Sequence, residues 1–224
     1  MKIAFDGGSH FREGSGKSDL STSMKNIQHI DDLIGRAVLS LGSANKLGQV
    51  HDLIVHPTNG EMVGLSVEIS DQSHFLVSKE EIHSIGPDAV MVQSDQSLVP
   101  PDQSQLKAFP FARNGLVGVK VITEDGKLLG EIANVYVHIE ETKSLFIYEV
   151  RSSILDKLLG HALYFPASSG CAFADDASRL VVSNDTERAD RKLEAIASRL
   201  FSPSGSFNPR VSVRTVNNNT SLLT

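Results

Sequence analysis

Leu47-Gly48-Gln49-Val50-His51-Asp52-Leu53-Ile54-Val55 runs into His56-Pro57-Thr58-Asn59-Gly60 and then into Met62-Val63-Gly64-Leu65-Ser66-Val67-Glu68-Ile69. Val50, Leu53 and Val55 form an apolar set that ends at the turn. Asn59-Gly60 is a strong hairpin signal, because a tight turn needs positive φ. Beyond it Val63, Leu65, Val67 and Ile69 alternate with mostly small or polar residues, the period-two pattern of a half-buried strand. Phe75-Leu76-Val77 and Ala89-Val90-Met91-Val92 read as further short strands.

The same plan recurs. Ile34-Gly35-Arg36-Ala37-Val38-Leu39 aligns with Val117-Gly118-Val119-Lys120-Val121-Ile122, and Leu47-Gly48-Gln49-Val50 with Leu129-Gly130-Glu131-Ile132. Leu53, Val55 and His56 match Val135, Val137 and His138, so the offset holds at 82–83 residues. Two copies at so long a period indicate duplication of a small domain rather than a solenoid. Short strands in units of about 70–75 residues favour small barrels, since closure removes exposed edges. The fold class expected is all-β: two tandem small β-barrels with a C-terminal amphipathic helix and flexible termini.

The boundaries follow from where periodicity starts and stops. Residues 1–28 read as a flexible arm, 29–99 as the first barrel, 100–113 as a linker opened by Pro100-Pro101, and 114–185 as the second barrel. Met24 would itself make a sensible start, which would make residues 1–23 a dispensable extension. Residues 186–202 read as an amphipathic helix, with Asn184-Asp185-Thr186-Glu187 as a capping box and Ala189, Leu193, Ile196, Ala197, Leu200 and Phe201 on one face. Residues 203–224 read as a flexible basic tail. The second copy also carries an insertion, Ser152-Ser153-Ile154-Leu155-Asp156-Lys157-Leu158-Leu159-Gly160-His161. Its Ile154, Leu155, Leu158 and Leu159 share one face of a short helical turn, either a lid on a barrel end or a docking surface, and at least two of them are expected to be buried.

Charge is unevenly spread. Residues 32–100 hold 3 Lys/Arg against 9 Asp/Glu, residues 114–187 hold 6 against 11, and residues 188–224 hold 6 against 2. Acidic bodies repel phosphate backbones, which disfavours nucleic-acid binding by the folded part. The basic segment, with Arg188, Arg191, Lys192, Arg199, Arg210 and Arg214, suits an acidic partner, an anionic membrane surface or simple solvation. The single cysteine, Cys171, leaves no disulfide framework and no Cys-rich metal module. No apolar run reaches the roughly 18 residues of a membrane span, and the start lacks a secretory pattern, so a cytoplasmic protein is expected.

Chemical motifs are weak. Gly14-Ser15-Gly16-Lys17-Ser18 invites a phosphate loop, but that loop needs glycine where Phe11 stands. The eight histidines show no metal-ligand spacing; His51 and His56 are expected on opposite strand faces, and His56 and His138 are read as turn residues at equivalent points of the two copies. Cys171 lies among apolar neighbours and reads as a buried, inert thiol. Neither a catalytic set, a metal nor a cofactor is expected.

The order and recurrence of these segments resemble the PRC-barrel family, named for the photosynthetic reaction-centre H subunit. Leu33-Ile34-Gly35-Arg36-Ala37-Val38, the 47–55 strand and Asn59-Gly60-Glu61-Met62-Val63 carry the likeness in the first copy. Gly115-Leu116-Val117-Gly118 and Leu129-Gly130-Glu131-Ile132-Ala133-Asn134-Val135 carry it in the second. The resemblance covers nearly all of residues 30–185 and implies two small all-β barrels, each a compact sheet of about five or six strands. It also implies that Gly35, Gly48, Gly118 and Gly130 sit where strands turn or backbones approach. His56 and His138 stand where relatives usually have Asp. Family members serve as interaction modules in membrane-bound photosynthetic complexes, in a ribosome-maturation factor and in tandem proteins, and the family has no catalytic set.

The function expected is therefore a non-catalytic adaptor or assembly module, with a protein partner or a second copy bound through Leu155, Leu158, Leu159, Arg191, Lys192 and Arg199. Two rivals stand beside it. One is an RNA- or ribosome-associated maturation factor, against which the acidic bodies and the lack of aromatic platforms among basic residues argue. The other is a peripheral membrane-complex partner bound through the basic segment.

Overall fold

The computed structural model describes residues 26–57, 59–70, 73–101, 109–139, 144–152, 161–167, 171–174, 178–188 and 190–200. Leu155, Leu158 and Leu159, residues 1–25 and residues 203–224 lie outside these.

Two sheets organise the described residues. The first contains β2 (Ala37–Ser40), β3 (Lys46–Val55), β4 (Met62–Ser70), β5 (Ser73–Ser78), β6 (Ile82–Ile85) and β7 (Ala89–Val92). The second contains β8 (Lys120–Thr123), β9 (Leu128–Ile139), β10 (Ser144–Arg151), β11 (Leu163–Pro166), β12 (Ala172–Phe173) and β13 (Arg179–Val182). The spatial orders are β5-β4-β3-β2-β7-β6 and β11-β10-β9-β8-β13-β12, one the copy of the other. All neighbours are antiparallel except β2 with β7 and β8 with β13, which are parallel in both copies. Even the irregularities repeat. A bulge falls between Val38 and Leu39 in one copy and between Val121 and Ile122 in the other. The duplication read from an 82–83-residue offset is thus a duplication of topology.

The all-β class holds, but neither sheet closes on itself. Each hydrogen-bonded path is open, with β5 and β6 at the ends of one and β11 and β12 at the ends of the other. The chain leaving each copy partly covers an end instead. Leu76 and Val99 exchange two main-chain bonds, of 2.8 and 2.9 Å, along β5. The Tyr164 amide donates to the Asp190 carbonyl at 2.8 Å along β11. A bridged edge is a poorer template for aggregation than a bare one.

Two glycines of the long strands show why their positions need no side chain. A Cβ at Gly48 would lie 2.5 Å from the Glu68 carbonyl oxygen, and one at Gly130 would lie 2.3 Å from that of Arg151. These are equivalent points, where a coiled strand crosses its neighbour too closely for a methyl group.

The two copies are not separate bodies. A short strand β1 (Ile27–His29), two residues inside the segment read as an arm, pairs antiparallel with β9 of the second sheet: Ile27 with His138, Gln28 with Val137, His29 with Tyr136. Conversely, Phe111, inside the segment read as linker, bridges Ile54 of the first sheet, flanked by bonds from Val55 to the Pro110 carbonyl and from Ala112 to the Leu53 carbonyl. His29 and Phe111 are 82 apart, as are Ile54 and Tyr136. Each copy therefore lends the segment that precedes it to the other copy's long strand, a reciprocal exchange. The helical turn α1 (Ile30–Leu33) follows β1 and sends Ile30 and Leu33 into the interior, both 1% exposed.

One buried apolar cluster spans both sheets, from Leu53, Leu65 and Val90 to Val121, Phe146 and Leu180. It reaches across because β4 and β10 are covered on both faces. Every residue of β10 from Ser144 to Val150 is buried, and so are Met62 and Gly64 to Val67 of β4. The alternation read in 63–69 is correspondingly only partial: Leu65 and Val67 are core, while Ile69 is exposed. Gly60 fits the join. The Phe146 amide donates to its carbonyl at 3.2 Å, and a Cβ at Gly60 would stand 2.1 Å from that of Ala167.

The C-terminal helix is shorter than the 186–202 expected. Asn184–Arg188 forms a separate 3₁₀ turn, residue 190 returns to the sheet, and the helix α2 runs Leu193–Leu200, packed on β11. Ile196 is its fully buried anchor. The capping-box residues thus start the 3₁₀ turn, not the long helix.

Because the exchange uses main-chain pairing on both sides, cutting the chain should not part the copies. Proteolytic cleavage within residues 102–108 is expected to leave two fragments that co-elute as one particle of unchanged size in native size-exclusion chromatography. Separate elution at native pH would show that each copy holds together alone.

Candidate functional site

Two places on the described surface gather polar chemistry or open space. The first is the outer face of the second sheet. Asn134, Tyr136, Glu149 and Tyr164 sit at paired positions of β9, β10 and β11 and point to the same side. Glu149 is 1% exposed. Its Oε2 accepts from Asn134 Nδ2 and from the Tyr136 hydroxyl, both at 2.9 Å, and its Oε1 accepts from Arg151 Nε at 2.6 Å and from the Arg151 terminal nitrogen. Tyr164, opposite Glu149 on β11, lies near enough for this carboxylate to act on its phenol. Burial alone would raise the Glu149 pKa, but the Asn134 and Tyr136 donors and the Arg151 charge outweigh it and hold the carboxyl below its usual range. The same contacts act oppositely on the phenols. Burial first, then the bond and charge of Glu149, push Tyr136 and Tyr164 up. His29 completes the group, edge-on to Tyr136 at 5.0 Å while its Nδ1 accepts from the Asp31 amide.

Such a network is saturated. Both carboxylate oxygens are occupied by donors of the chain itself, and neither phenol titrates near neutral pH. It has neither a base with open access nor a nucleophile beside a base, so its chemistry is that of a buried, well-satisfied ion pair.

At the matching place in the first copy, the side chains have changed roles. Asp52 stands where Asn134 does and Ser66 where Glu149 does. Asp52 is fully buried and accepts from the amides of Leu53 (2.7 Å), Arg113 (3.0 Å) and Asn114 (3.0 Å). Burial pushes its pKa up despite these donors. It clasps the segment that joins the copies, and Arg113 in turn meets Asp31 at 3.0 Å on the surface, again at equivalent positions.

The second place is a cleft of about 570 Å³ between the copies, with Met62, Ile82, Ile85 and Ile139 as apolar walls and Lys79, His83, Ser84 and Ser144 around them. All four residues of β6 line it, and among the described residues β6 pairs with β7 alone. The other edge of β6 thus pairs with no strand among the described residues, and the strand runs along a cleft with apolar walls.

The residues singled out from sequence fare unevenly. Arg191 and Lys192 are exposed just before α2, and Arg191 borders a smaller cavity of about 300 Å³ with Lys127, His161 and Leu128, at the foot of the insertion. Arg199 lies on α2. Leu155, Leu158 and Leu159 lie outside the described residues. His56 does sit at the hairpin turn, its ring 5.6 Å from that of Phe109. His138 does not: β9 runs on to Ile139, so His138 is an interior strand residue, 1% exposed, and burial pushes its pKa down to about 4. His51 falls in the bulge between Val50 and Asp52, and its ring lies 4.3 Å from that of His74. Among the described residues there is no group of three or more His, Cys, Asp or Glu able to hold a metal, and no helix is long and apolar enough to cross a membrane.

The β6 cleft and the Glu149 cluster were missed in the sequence for one reason. Both depend on which strand lies beside which, and four-residue β6 (Ile82-His83-Ser84-Ile85) carries no alternating signal.

The family model of the PRC-barrel domain matches residues 26–99, the span of β1 and the first copy. The second copy lies outside the match and reproduces the strand order of the first. No curated protein matches the chain.

Two predictions concern titration. Glu149 has a folded pKa below its unfolded one, so its contribution is complete above the ordinary value of 4.5 and is lost as pH falls through the folded pKa. Glu149→Gln should cost about 1–3 kcal/mol in urea unfolding at pH 7, and the gap to the unsubstituted protein should close only below pH 4.5. His138 is a base depressed from 6.5 to about 4, so the unfolded chain binds the extra proton first and stability falls as pH drops across that window. His138→Leu should flatten the fall between pH 6.5 and about 4 seen in chemical-denaturation midpoints, and an unchanged slope would assign the loss elsewhere.

Proposed function

We propose that the protein is a non-catalytic assembly module of the cytoplasm, which holds an extended segment of a partner protein along the outer edge of β6. The observation that carries this reading is the pairing of an open strand edge with an apolar-walled cleft of about 570 Å³. Strand addition supplies main-chain hydrogen bonds for affinity, and the walls select alternate side chains of the incoming strand. The saturated state of the Glu149 network supports a structural role for the main polar cluster, and a non-catalytic reading agrees with it. The match of residues 26–99 to a domain family implicated in interaction supports the same reading at the level of family analogy. Of the contacts expected from sequence, Arg191 and Lys192 are exposed just before α2 and Arg199 lies on it, and they would serve as a separate surface, while Leu155, Leu158 and Leu159 fall outside the described residues.

Site-specific photo-crosslinking in native cells tests the proposal. A crosslinker at Ser84, exposed on the β6 edge, should yield a discrete protein adduct that one at Val181, exposed on the second sheet, does not. Equal adducts at both positions would remove β6 as the docking edge. Turnover of a small molecule by the purified protein, abolished by a substitution that preserves the fold, would overturn the non-catalytic reading.

A further inference from the structure

The cleft at β6 has a candidate occupant within the chain. Ile139, which lines the cleft, donates its amide to the carbonyl of Asn26 at 3.0 Å. β1 runs antiparallel to β9, with Ile27 opposite His138 and Asn26 beyond it at the strand's end. The chain that precedes β1 therefore enters the fold at the mouth of this cleft. The residues before Asn26 read Asp19-Leu20-Ser21-Thr22-Ser23-Met24-Lys25. Leu20, Thr22 and Met24 fall on one face of an extended chain and Ser21, Ser23 and Lys25 on the other. At about 3.3 Å per residue, residues 19–24 lie within roughly 25 Å of Asn26 along the chain, so no long tether is needed.

We infer that residues 19–24 add to the open edge of β6 as a strand, with Leu20 and Met24 against Met62, Ile82 and Ile85 and with Asp19 toward Lys79. An unpaired edge costs little while water reaches it, but main-chain groups beside apolar walls gain from a strand that satisfies them and covers the walls together. Charge distinguishes this occupant from the other terminus. Residues 201–224 carry Arg210 and Arg214 and no carboxylate side chain, a poor match for Lys79, and they follow α2, which packs on β11 of the other sheet. The inference rests on the strand-accepting cleft of the proposed function. It makes that surface self-covered, so that a partner strand must displace residues 19–24.

Hydrogen–deuterium exchange of the full chain and of a chain beginning at Asn26, which keeps β1 intact, tests it. Exchange of the 82–85 amides should quicken at least roughly tenfold on deletion, with the β9 and β10 amides unchanged. A synthetic peptide of residues 18–25 added in trans should restore the protection, and Leu20→Asp with Met24→Asp in the full chain should reproduce the deletion without lowering the melting temperature. Unchanged exchange at 82–85 in both the deletion and the double variant overturns the inference. The Ser84 crosslinking experiment separates the two ideas. Partner adducts that rise on deletion support both. Adducts that stay constant while exchange is also unchanged leave the docking edge in place and remove the covering strand. Quickened exchange with no partner adduct in either chain removes the partner and keeps the cover.

Discussion

Main-chain pairing between the copies is the constraint from which the rest follows. β1 belongs in sequence to the first copy and in space to the second, and Phe111 does the reverse. Each loan satisfies backbone donors and acceptors along a long strand that would otherwise face the interior, where an unmet group costs as much as a lost hydrogen bond. Once the segments are exchanged, α1 must enter the shared interior, β4 and β10 must be covered on both faces, and the join at Gly60 must be closer than any side chain permits. The buried carboxylate of Asp52 fixes the arrangement from the polar side, since it takes the amides of Arg113 and Asn114 just where the chain passes from one copy to the next.

Duplication supplied two equivalent polar positions, and the copies use them differently. In the first, the acid is on the long strand and serves the connection. In the second, the acid has moved one strand over to Glu149, and an amide, two phenols and a guanidinium surround it. A carboxylate buried without such partners would be neutral or would destabilise the fold. The second copy therefore hosts its charge through side chains and the first through main-chain amides. That difference explains why their burial drives Asp52 up while Glu149 is held down. The copies also differ at the open end: β12 is two residues long, whereas β6 offers four residues along a cleft.

Much of the fold was legible from Leu47 to Ile69. The hairpin at Asn59-Gly60, the paired long strands and the duplication are all local or periodic, and the structure repeats them down to the bulges. What the tandem pattern did not announce is contact between remote segments. Ile27-Gln28-His29 has neither length nor alternation, so nothing in it announces a partner more than a hundred residues away. Val63 to Ile69 gives a one-sided pattern, but a second sheet covers the other side, which only the assembled pair determines. His138 follows the same logic: an offset of 82 matched it to a turn residue, yet β9 outlasts β3 and takes the histidine into the interior. The candidate site was least legible because an open edge is a property of neighbours, not of residues.

The lent strand also sets a timetable. During synthesis β1 emerges about 110 residues before the strand it must join. At the usual 5–20 residues per second this is a delay on the order of 10 s, during which the first copy has its hairpins but not its final interior. Ile30 and Leu33 then have no place to go except water or a surrogate. The pairing is a high-separation contact, whose loop entropy must be met before the contact forms, so β1 is made early and cannot be seated until β9 exists. The finished fold therefore dates from the completion of the second copy rather than the first.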